Sequence, residues 1–338
     1  MHTKPDFIIS LSSASAGISQ LGGKGVSLAR LAAAGLPVPD GFHVTTAAYR
    51  QFVAEHGLQE RILATVSVAK PDQPATLEEA SSQIGQLFAQ HAMPGEIAEA
   101  IRRAYAGLGE ADVPVAVRSS ATAEDLPGMS FAGQQETYLN MRGAEAVLGA
   151  VKRCWASLWT ARAIGYRARL NIAPQDVSLA VVVQILVPAE AAGVLFTADP
   201  VSGQRDRALI NASWGLGEAV VGGLVTPDSL TVEKASGRVL SRQTADKQVM
   251  TVCTAEATEE QPVVEALRRT PVLDDAAAAQ LTALGVQIEH LYGQPMDIEW
   301  ALAGGKFAIL QARPITALPT VEDSAPLTWP KLPLWRSG

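Results

Sequence analysis

The chain has 338 residues, with 27 lysines and arginines against 34 aspartates and glutamates, so its formal charge is −7. Hydrophobic residues make up 48% of the chain and charged residues only 18%. This composition excludes a disordered chain, because disordered segments are rich in charge and poor in apolar residues. The acidic balance argues against a protein that binds nucleic acid through its overall charge, which needs a surplus of lysine and arginine.

No apolar stretch approaches the roughly 18 residues that span a bilayer, and the N-terminus has no signal-peptide pattern. The two cysteines, Cys154 and Cys253, are far apart and have no CxxC partner, which disfavours a disulfide framework and a cysteine zinc site. We therefore expect a reduced, cytoplasmic protein without membrane or nucleic-acid partners. At about 150 residues per domain, the length predicts two domains or one domain of two lobes.

In the first half of the chain, hydrophobic periodicity predicts mostly helices, with three short strands. The predicted strands are 7–10, 42–46 and 115–118. The predicted helices are 22–34, 47–56, 77–92, 96–108 and 144–170, and the predicted loops are 67–75 and 119–135.

The second half is richer in alternating patterns, which are typical of strands. The predicted strands are 179–187, 193–197, 208–213, 229–233, 238–244, 248–252, 296–303 and 306–315, with one helix at 274–292. The order lacks the steady alternation of a doubly wound sheet, so we predict a mixed α+β fold.

Two glycine-rich segments are candidates for contact with an anion. The segment 22–25, GGKG, opens a predicted helix, where free N–H groups can approach an anion and Lys24 adds a positive charge. It is not a Walker A loop, since Lys24 is followed by glycine, and a plain helix start with a solvent lysine is an equal alternative. The segment 215–218, GLGE, fails the dinucleotide fingerprint because Val220 stands where the third glycine is required. A tight turn is the favoured interpretation there.

Two polar side chains end or interrupt apolar strands. Arg118 ends the predicted strand 115–118 and precedes two serines, a position that suits phosphate binding because guanidinium binds phosphate in a bidentate manner. The alternative is an ion pair with Glu124 or Asp125. Gln184 lies within the first strand of the second half, where its amide needs a buried partner. That partner is either the edge of an adenine ring or an ordinary hydrogen bond in the core.

The last two predicted strands form a hairpin that carries a polar patch. Asp297 and Glu299 lie two residues apart on the first strand, as Gln311 and Arg313 do on the second, so each pair faces one side. Two carboxylates and an amide oxygen suit Mg2+, a hard cation that takes one or two carboxylates plus phosphate oxygens. The alternative is a surface hairpin with a cross-strand Asp–Arg pair, which contributes well under about 1 kcal/mol.

The register of this hairpin decides whether its polar side chains meet. A two-residue loop would set Glu299 opposite Leu310 and leave Gln311 on the other face. A three-residue loop, 304–306, sets Glu299 opposite Gln311, pairs the other two polar residues in the same way, and puts Leu310 on the apolar face. We therefore predict the three-residue loop.

Together, the segments that carry these residues resemble the N-terminal nucleotide-binding domain of the phosphoenolpyruvate synthase, pyruvate phosphate dikinase and rifampicin phosphotransferase family. They are LGGKGVSLARLAAAGLPVPDGF, VAVRSSATAEDLPGMSFAGQQETYLN, GVLFTADPVSG, NASWGLGEAVVGGLVTPD and MDIEWAL with AILQARPIT. The resemblance covers about residues 18–318. It implies an ATP-grasp fold, in which two α+β lobes with mostly antiparallel sheets and flanking helices grip ATP. We expect the lobes at 1–187 and 188–318, and a proline-rich linker or tail at 319–338.

The resemblance divides the nucleotide site into three sets of residues. The phosphate-binding and catalytic set is Lys24, Arg118 and Arg313. The magnesium set is Glu299, Gln311 and, beside them, Asp297. The remaining ATP contacts are Gln184 in the adenine-pocket strand and Thr137 near the loop 119–135, which covers the triphosphate.

The same resemblance implies a function in two halves. ATP with Mg2+ phosphorylates a carrier histidine on a separate domain or subunit, releasing AMP and phosphate, and the phosphohistidine then phosphorylates pyruvate, an antibiotic or another small acceptor bound elsewhere. None of the five histidines of this chain lies in the Thr-Ser-His context of the carrier, so we expect this chain to be only the ATP half. The alternatives are a regulatory module that binds nucleotide without turnover and a self-contained ATP-grasp ligase or kinase.

Overall fold

Helices and antiparallel strands are mixed along the whole chain, which confirms the predicted α+β class. The computed structural model of the protein describes residues 6–13, 15–109, 111–122, 136–223, 225–255, 257–316 and 318–319. None of the helices in these ranges is long and apolar enough to cross a membrane.

A five-stranded antiparallel sheet forms from the first part of the chain. Its strands are Ile8–Ser10 (β1), Gly41–Val44 (β2), Val115–Ala121 (β3), Thr137–Met141 (β4) and Leu179–Ile185 (β5). Their order is β1-β2-β5-β3-β4. The two edge strands are short, and β5, whose residues are all apolar except Gln184, lies at the centre of the sheet.

Helices cover both faces of this sheet. One face packs against Ile18–Ala33 (α1), through Leu28, Leu31 and Val182. On the opposite face, Val181 and Val183 join a core of helices, since successive side chains of a strand point to opposite sides. These helices are Thr46–Glu55 (α2), Leu58–Val68 (α3), Pro74–Gln90 (α4), Gly95–Ala106 (α5), Ala144–Ser157 (α6) and Ala161–Arg169 (α7).

A six-stranded antiparallel sheet forms from the second part of the chain. Its strands are Ala191–Phe196 (β6), Arg207–Trp214 (β7), Asp228–Glu233 (β8), Val239–Gln243 (β9), Met296–Ala303 (β12) and Lys306–Pro314 (β13), in the order β13-β12-β6-β7-β8-β9. The strands Val249–Cys253 (β10) and Thr258–Pro262 (β11) form a separate pair. The short helices are Glu218–Val221 (α8) and Glu265–Arg268 (α9), and the long helix Asp275–Tyr292 (α10) packs on the larger sheet through Leu281 and Ile288.

Three differences from the sequence predictions have local causes. The predicted helix 144–170 is two helices, because Thr160 caps the second one by accepting a hydrogen bond from the N–H of Ala163 at 3.3 Å. The predicted loop 67–75 begins inside α3 and ends inside α4, where Pro74 occupies the first turn. The strands β4 and β11 were not predicted. The sequence of β11, TEEQP, has no alternation of apolar residues.

Candidate functional site

Arg118 joins the two sheets. It lies on β3 of the five-stranded sheet, its side chain is 12% exposed, and Nη2 is 3.3 Å from Oε2 of Glu299 on β12 of the six-stranded sheet. Nη1 donates to the carbonyl of Leu310 on β13 at 3.0 Å. Its buried Nε has no hydrogen-bond partner among the described residues. Arg118 therefore directs a charged, partly unsatisfied guanidinium to the place where the sheets meet.

The strand that carries Arg118 is longer than predicted. Residues Ser119, Ser120 and Ala121, expected to begin a loop, instead continue β3 and pair with Val181, Ala180 and Leu179 of β5. Residues 123–135 of the predicted loop, with the alternative partners of Arg118 at 124 and 125, lie outside the described residues.

The hairpin loop was predicted wrongly, although the pairing that it was meant to explain is confirmed. Ala303 pairs with Lys306, so the loop has two residues, and both glycines have positive φ, 54° and 71°. A two-residue turn of this kind favours glycine at both central positions. The register then shifts at a bulge, so that Glu299 lies opposite Gln311 and, two residues on, Asp297 lies opposite Arg313.

The bulge gives Leu310 a role that the sequence did not indicate. One extra residue on β13 corrects the register, and a bulged residue is left outside the regular ladder. Leu310 is only half-buried, while Ile309 and Ala312 take the core positions predicted for it. Its carbonyl is the acceptor for Arg118, so the irregularity itself forms part of the contact between the sheets.

Asp297 and Arg313 form a second ion pair on the same hairpin. Arg313 donates from Nε to Oδ2 of Asp297 at 2.8 Å. Burial raises the pKa of Asp297, and the nearby charge of Glu299 raises it further, while Arg313 opposes both effects. The two carboxylates lie two residues apart on one face of β12, so a cation between them would be attracted to both.

The donors of this patch fit Mg2+ better than a transition metal. Two carboxylates and the amide of Gln311, which is 7% exposed, are hard oxygen donors. Among the described residues, no cluster of three or more histidine, cysteine, aspartate or glutamate side chains could hold a metal ion. A cation here would need further oxygens from water or a phosphate, as Mg2+ commonly has in phosphate-binding sites.

The GGKG segment folds onto β3. Gly22 interrupts α1 with a φ of 68°, and a Cβ there would lie 2.2 Å from the carbonyl oxygen of Ser120, so only glycine fits. Ser120 Oγ accepts from the N–H of Gly25 at 3.0 Å and donates to the carbonyl of Leu21 at 2.7 Å. The half-buried Lys24 donates to the carbonyl of Ser119 at 3.5 Å. This places Lys24 beside the strand that carries Arg118.

His43 lies beneath this turn and is fully buried. A Cβ on Gly25 would be 3.3 Å from its Nδ1. The nearby backbone of Leu11 favours the charged ring, but neither ring nitrogen has a hydrogen-bond partner among the described residues. Burial therefore dominates and lowers the pKa of His43 to about 4.

We expect the protein to lose about 2 kcal/mol of unfolding free energy between pH 7 and pH 5 through His43. Between the ordinary pKa of 6.5 and about 4, the unfolded chain binds a proton that the folded chain does not, so stability falls as pH falls. Urea unfolding at both pH values measures the loss. In His43→Leu this part of the pH dependence should vanish, and an unchanged slope in that variant would contradict the assignment.

Gln184 and Thr137 lie on the same sheet face as Arg118. Gln184 pairs with Ala116, two residues before Arg118, and Thr137 pairs with Arg118 itself; directly paired residues share a face. Gln184 is 2% exposed, and its Nε2 donates to the carbonyl of Pro39 at 3.3 Å. The ordinary hydrogen bond that the sequence left open is therefore present.

Two neighbours of the site were missed from the sequence. A small apolar cluster forms around Ala116, Leu186 and Leu216, on the sheet face that carries Gln184. Glu218 is the last residue of the GLGE segment, in which Gly215 has a φ of 77° as a tight turn requires. Burial raises the pKa of Glu218, and the charge of Arg118 acts in the opposite direction. The segment that fails the dinucleotide fingerprint contains Leu216 and Glu218, so it was the available signal in the sequence for these two residues.

The structure thus places the eight predicted site residues on β3–β5, on α1 just after its interruption at Gly22, and on the β12–β13 hairpin. The family described as "Pyruvate phosphate dikinase, AMP/ATP-binding domain" matches residues 18–328. This match confirms the resemblance seen in the sequence motifs.

Curated relatives point the same way. The chain is 46% identical over 301 residues to a probable phosphoenolpyruvate synthase of Methanothermobacter thermautotrophicus, covering 88% of this chain and 44% of the relative. It is 42% identical to the phosphoenolpyruvate synthase of Pyrococcus furiosus, covering 88% and 42%. It is 46% identical to the rifampicin phosphotransferase of Streptomyces sviceus, covering 91% and 35%. The chain spans less than half the length of each of these relatives.

Proposed function

Because the chain belongs to the family of pyruvate phosphate dikinase AMP/ATP-binding domains, we propose that it is an ATP-grasp unit that uses ATP to phosphorylate a histidine on a carrier domain or subunit. The lobes are 1–187 and 188–318, and ATP lies between their sheets. AMP and phosphate are the products, and the phosphohistidine serves a small acceptor bound elsewhere. The observation that carries the proposal is the contact of Arg118 with Glu299 and Leu310 across the two sheets.

In the structure, the two arginines of the proposed site form ion pairs with its two carboxylates. Arg118 is paired with Glu299 and Arg313 with Asp297. Nucleotide with its metal brings both kinds of partner at once, since phosphate oxygens suit the guanidinium groups and the cation suits the carboxylates. We propose that ATP binding exchanges these ion pairs, so that Lys24, Arg118 and Arg313 face the phosphates.

The metal contacts follow from the same exchange. Glu299 and Gln311 would hold Mg2+, with Asp297 beside them. When bound, the ion supplies positive charge to the phosphate oxygens. The residues of the chain do the rest by positioning: in phosphoryl transfer, orientation and charge neutralisation provide most of the catalysis. Lys24 and Arg118 extend from neighbouring backbone segments that Ser120 ties together before the nucleotide arrives.

The adenine would lie on the apolar cluster around Ala116, Leu186 and Leu216. Ligand pockets combine such apolar surface with a few polar groups that fix orientation. Gln184, on the same face and next to Ala116 in register, is the polar group available for the edge of the base. Thr137, opposite Arg118, is nearer to the phosphates.

The experiment mixes this chain with ATP, Mg2+ and the separately produced histidine domain of a phosphoenolpyruvate synthase relative. We expect AMP, phosphate and a phosphohistidine. In Glu299→Gln the rate of AMP formation should fall by about 10²-fold or more, because removing one polar contact to the transition state commonly slows a reaction by this factor. The matched control is Glu145→Gln, which removes an exposed carboxylate of α6 and should leave the rate unchanged.

The nucleotide product separates the competing functions. ADP formation with a small acceptor would indicate a self-contained kinase. ATP binding without any AMP, in the presence of a carrier that a relative's own ATP domain can phosphorylate, would indicate a module that binds nucleotide without turnover. Either result would overturn the proposal.

A further inference from the structure

Arg167 is a buried cation among the helices on the face of the five-stranded sheet opposite to Arg118. It lies on α7, is 5% exposed, and its Nη2 donates to the carbonyl of Leu158 at 2.5 Å. Its guanidinium carbon lies 5.0 Å from the ring centroid of Trp159. No carboxylate among the described residues pairs with it. A guanidinium carries five donor hydrogens, so these contacts leave most of its hydrogen-bonding capacity unused.

Such an arrangement is costly for the fold. Burying a cation without an anion removes its hydration and returns no attraction to a full counter-charge. Burial accordingly lowers the pKa of Arg167 to about 10, with only the hydroxyl of Tyr49 acting the other way. The helices of this region pack through apolar side chains, so their packing does not require a charge at this position.

A cavity of about 460 Å³, partly open to solvent, is lined in part by Arg167. Its walls are mostly apolar and include Leu63 and Val66 from α3 together with Ile164 and Ile172. Arg167 is the one charged side chain among the described residues that line it. The volume is within the range of small-molecule sites, about 300–1,000 Å³. The cavity lies among the helices on the face of the five-stranded sheet opposite to Arg118, so it is separate from the proposed nucleotide site.

We propose that this cavity binds a small amphipathic carboxylate, with the carboxylate on Arg167 and the apolar body against α3 and α7. A planar guanidinium matches a carboxylate with two parallel hydrogen bonds. A single cation neutralises a monovalent carboxylate but leaves a phosphate dianion with a net buried charge. The apolar walls require a ligand with a hydrocarbon or aromatic body, which excludes small hydrophilic acids. This inference does not depend on the proposed function.

The test uses octanoate as the probe and 1-octanol as its uncharged counterpart. Isothermal titration should show octanoate binding at least ten-fold more tightly than 1-octanol to the whole chain. In Arg167→Met octanoate should bind at least ten-fold more weakly, while the affinity for 1-octanol stays within two-fold. Equal affinities of the two probes for the unmodified chain, or undiminished octanoate binding in Arg167→Met, would overturn the proposal.

A second pair of variants tests the cavity without touching the charge. Ser67 lines the cavity and Ala64 does not, and both are exposed on α3. Ser67→Trp should fill the space and reduce octanoate binding at least ten-fold, whereas Ala64→Trp should bind octanoate as the unmodified chain does. Equal octanoate affinity in the two tryptophan variants would place the carboxylate elsewhere and overturn the proposal, even if Arg167→Met fails to fold.

Discussion

Replacement of Asp228 by asparagine is expected to lower the free energy of unfolding by about 3–5 kcal/mol, the usual cost of breaking a buried ion pair from one side. Nζ of Lys247 lies 2.6 Å from Oδ1 of Asp228, and neither side chain is exposed. The same carboxylate accepts hydrogen bonds from the N–H groups of Ala245 and Val272. Asparagine keeps the shape but leaves a buried ammonium without a counter-charge. Urea unfolding at constant m-value measures the change.

Two further variants show whether the effect comes from the charge. Glu145→Gln breaks a pair with Arg102 whose side chains are 43% and 76% exposed, and we expect a loss below about 1 kcal/mol. Adding Lys247→Met to Asp228→Asn should restore part of the stability, because the unpaired ammonium is removed. A loss in Asp228→Asn no larger than in Glu145→Gln, or simple additivity in the double variant, would contradict this account.

The hairpin shows how far local sequence reasoning reaches. Alternation of polar and apolar residues correctly placed Glu299 opposite Gln311, because a polar pair inside a buried sheet must share one face. The turn was nevertheless wrong, since two successive glycines favour the two-residue loop on conformational grounds. Both demands are met only by a bulge at Leu310. A bulge adds one residue to a strand and has no characteristic amino-acid composition, so nothing in the sequence indicated it.

Long-range partners were beyond the sequence for a different reason. The sequence suggested a phosphate or a nearby carboxylate as the partner of Arg118, and nothing in it indicated Glu299, which is 181 residues distant. The pairing arises because β3 and the β12–β13 hairpin meet where the two sheets adjoin. The pattern of polar and apolar residues along the chain does not specify how two sheets are placed relative to each other. The cation of Arg167 is similar: its sequence context is an ordinary amphipathic helix, and only burial makes it unusual.

Replacement of Arg118 by methionine is expected to lower the proposed rate of AMP formation by about 10²–10³-fold, the range found when one donor to a developing anion is removed. The guanidinium contacts Glu299 and the Leu310 carbonyl together, so methionine removes both the charge and the bridge between the sheets. Arg118→Lys should recover little of the rate, since a single ammonium lacks the fork that reaches two acceptors. Single-turnover formation of AMP at saturating ATP measures the rate.

The affinity for ATP distinguishes a catalytic role from a structural one. If Arg118 acts on the phosphates in the transition state, the rate at saturation should fall far more than ATP binding, which calorimetry reports separately. The control is Arg103→Met, which removes a 74% exposed arginine of α5 and should change neither quantity. An Arg118→Met variant that unfolds at lower urea yet keeps its rate would assign the residue to joining the sheets alone. If Arg103→Met lowered the rate of AMP formation and the urea midpoint as much as Arg118→Met does, the losses would not be specific to the proposed site.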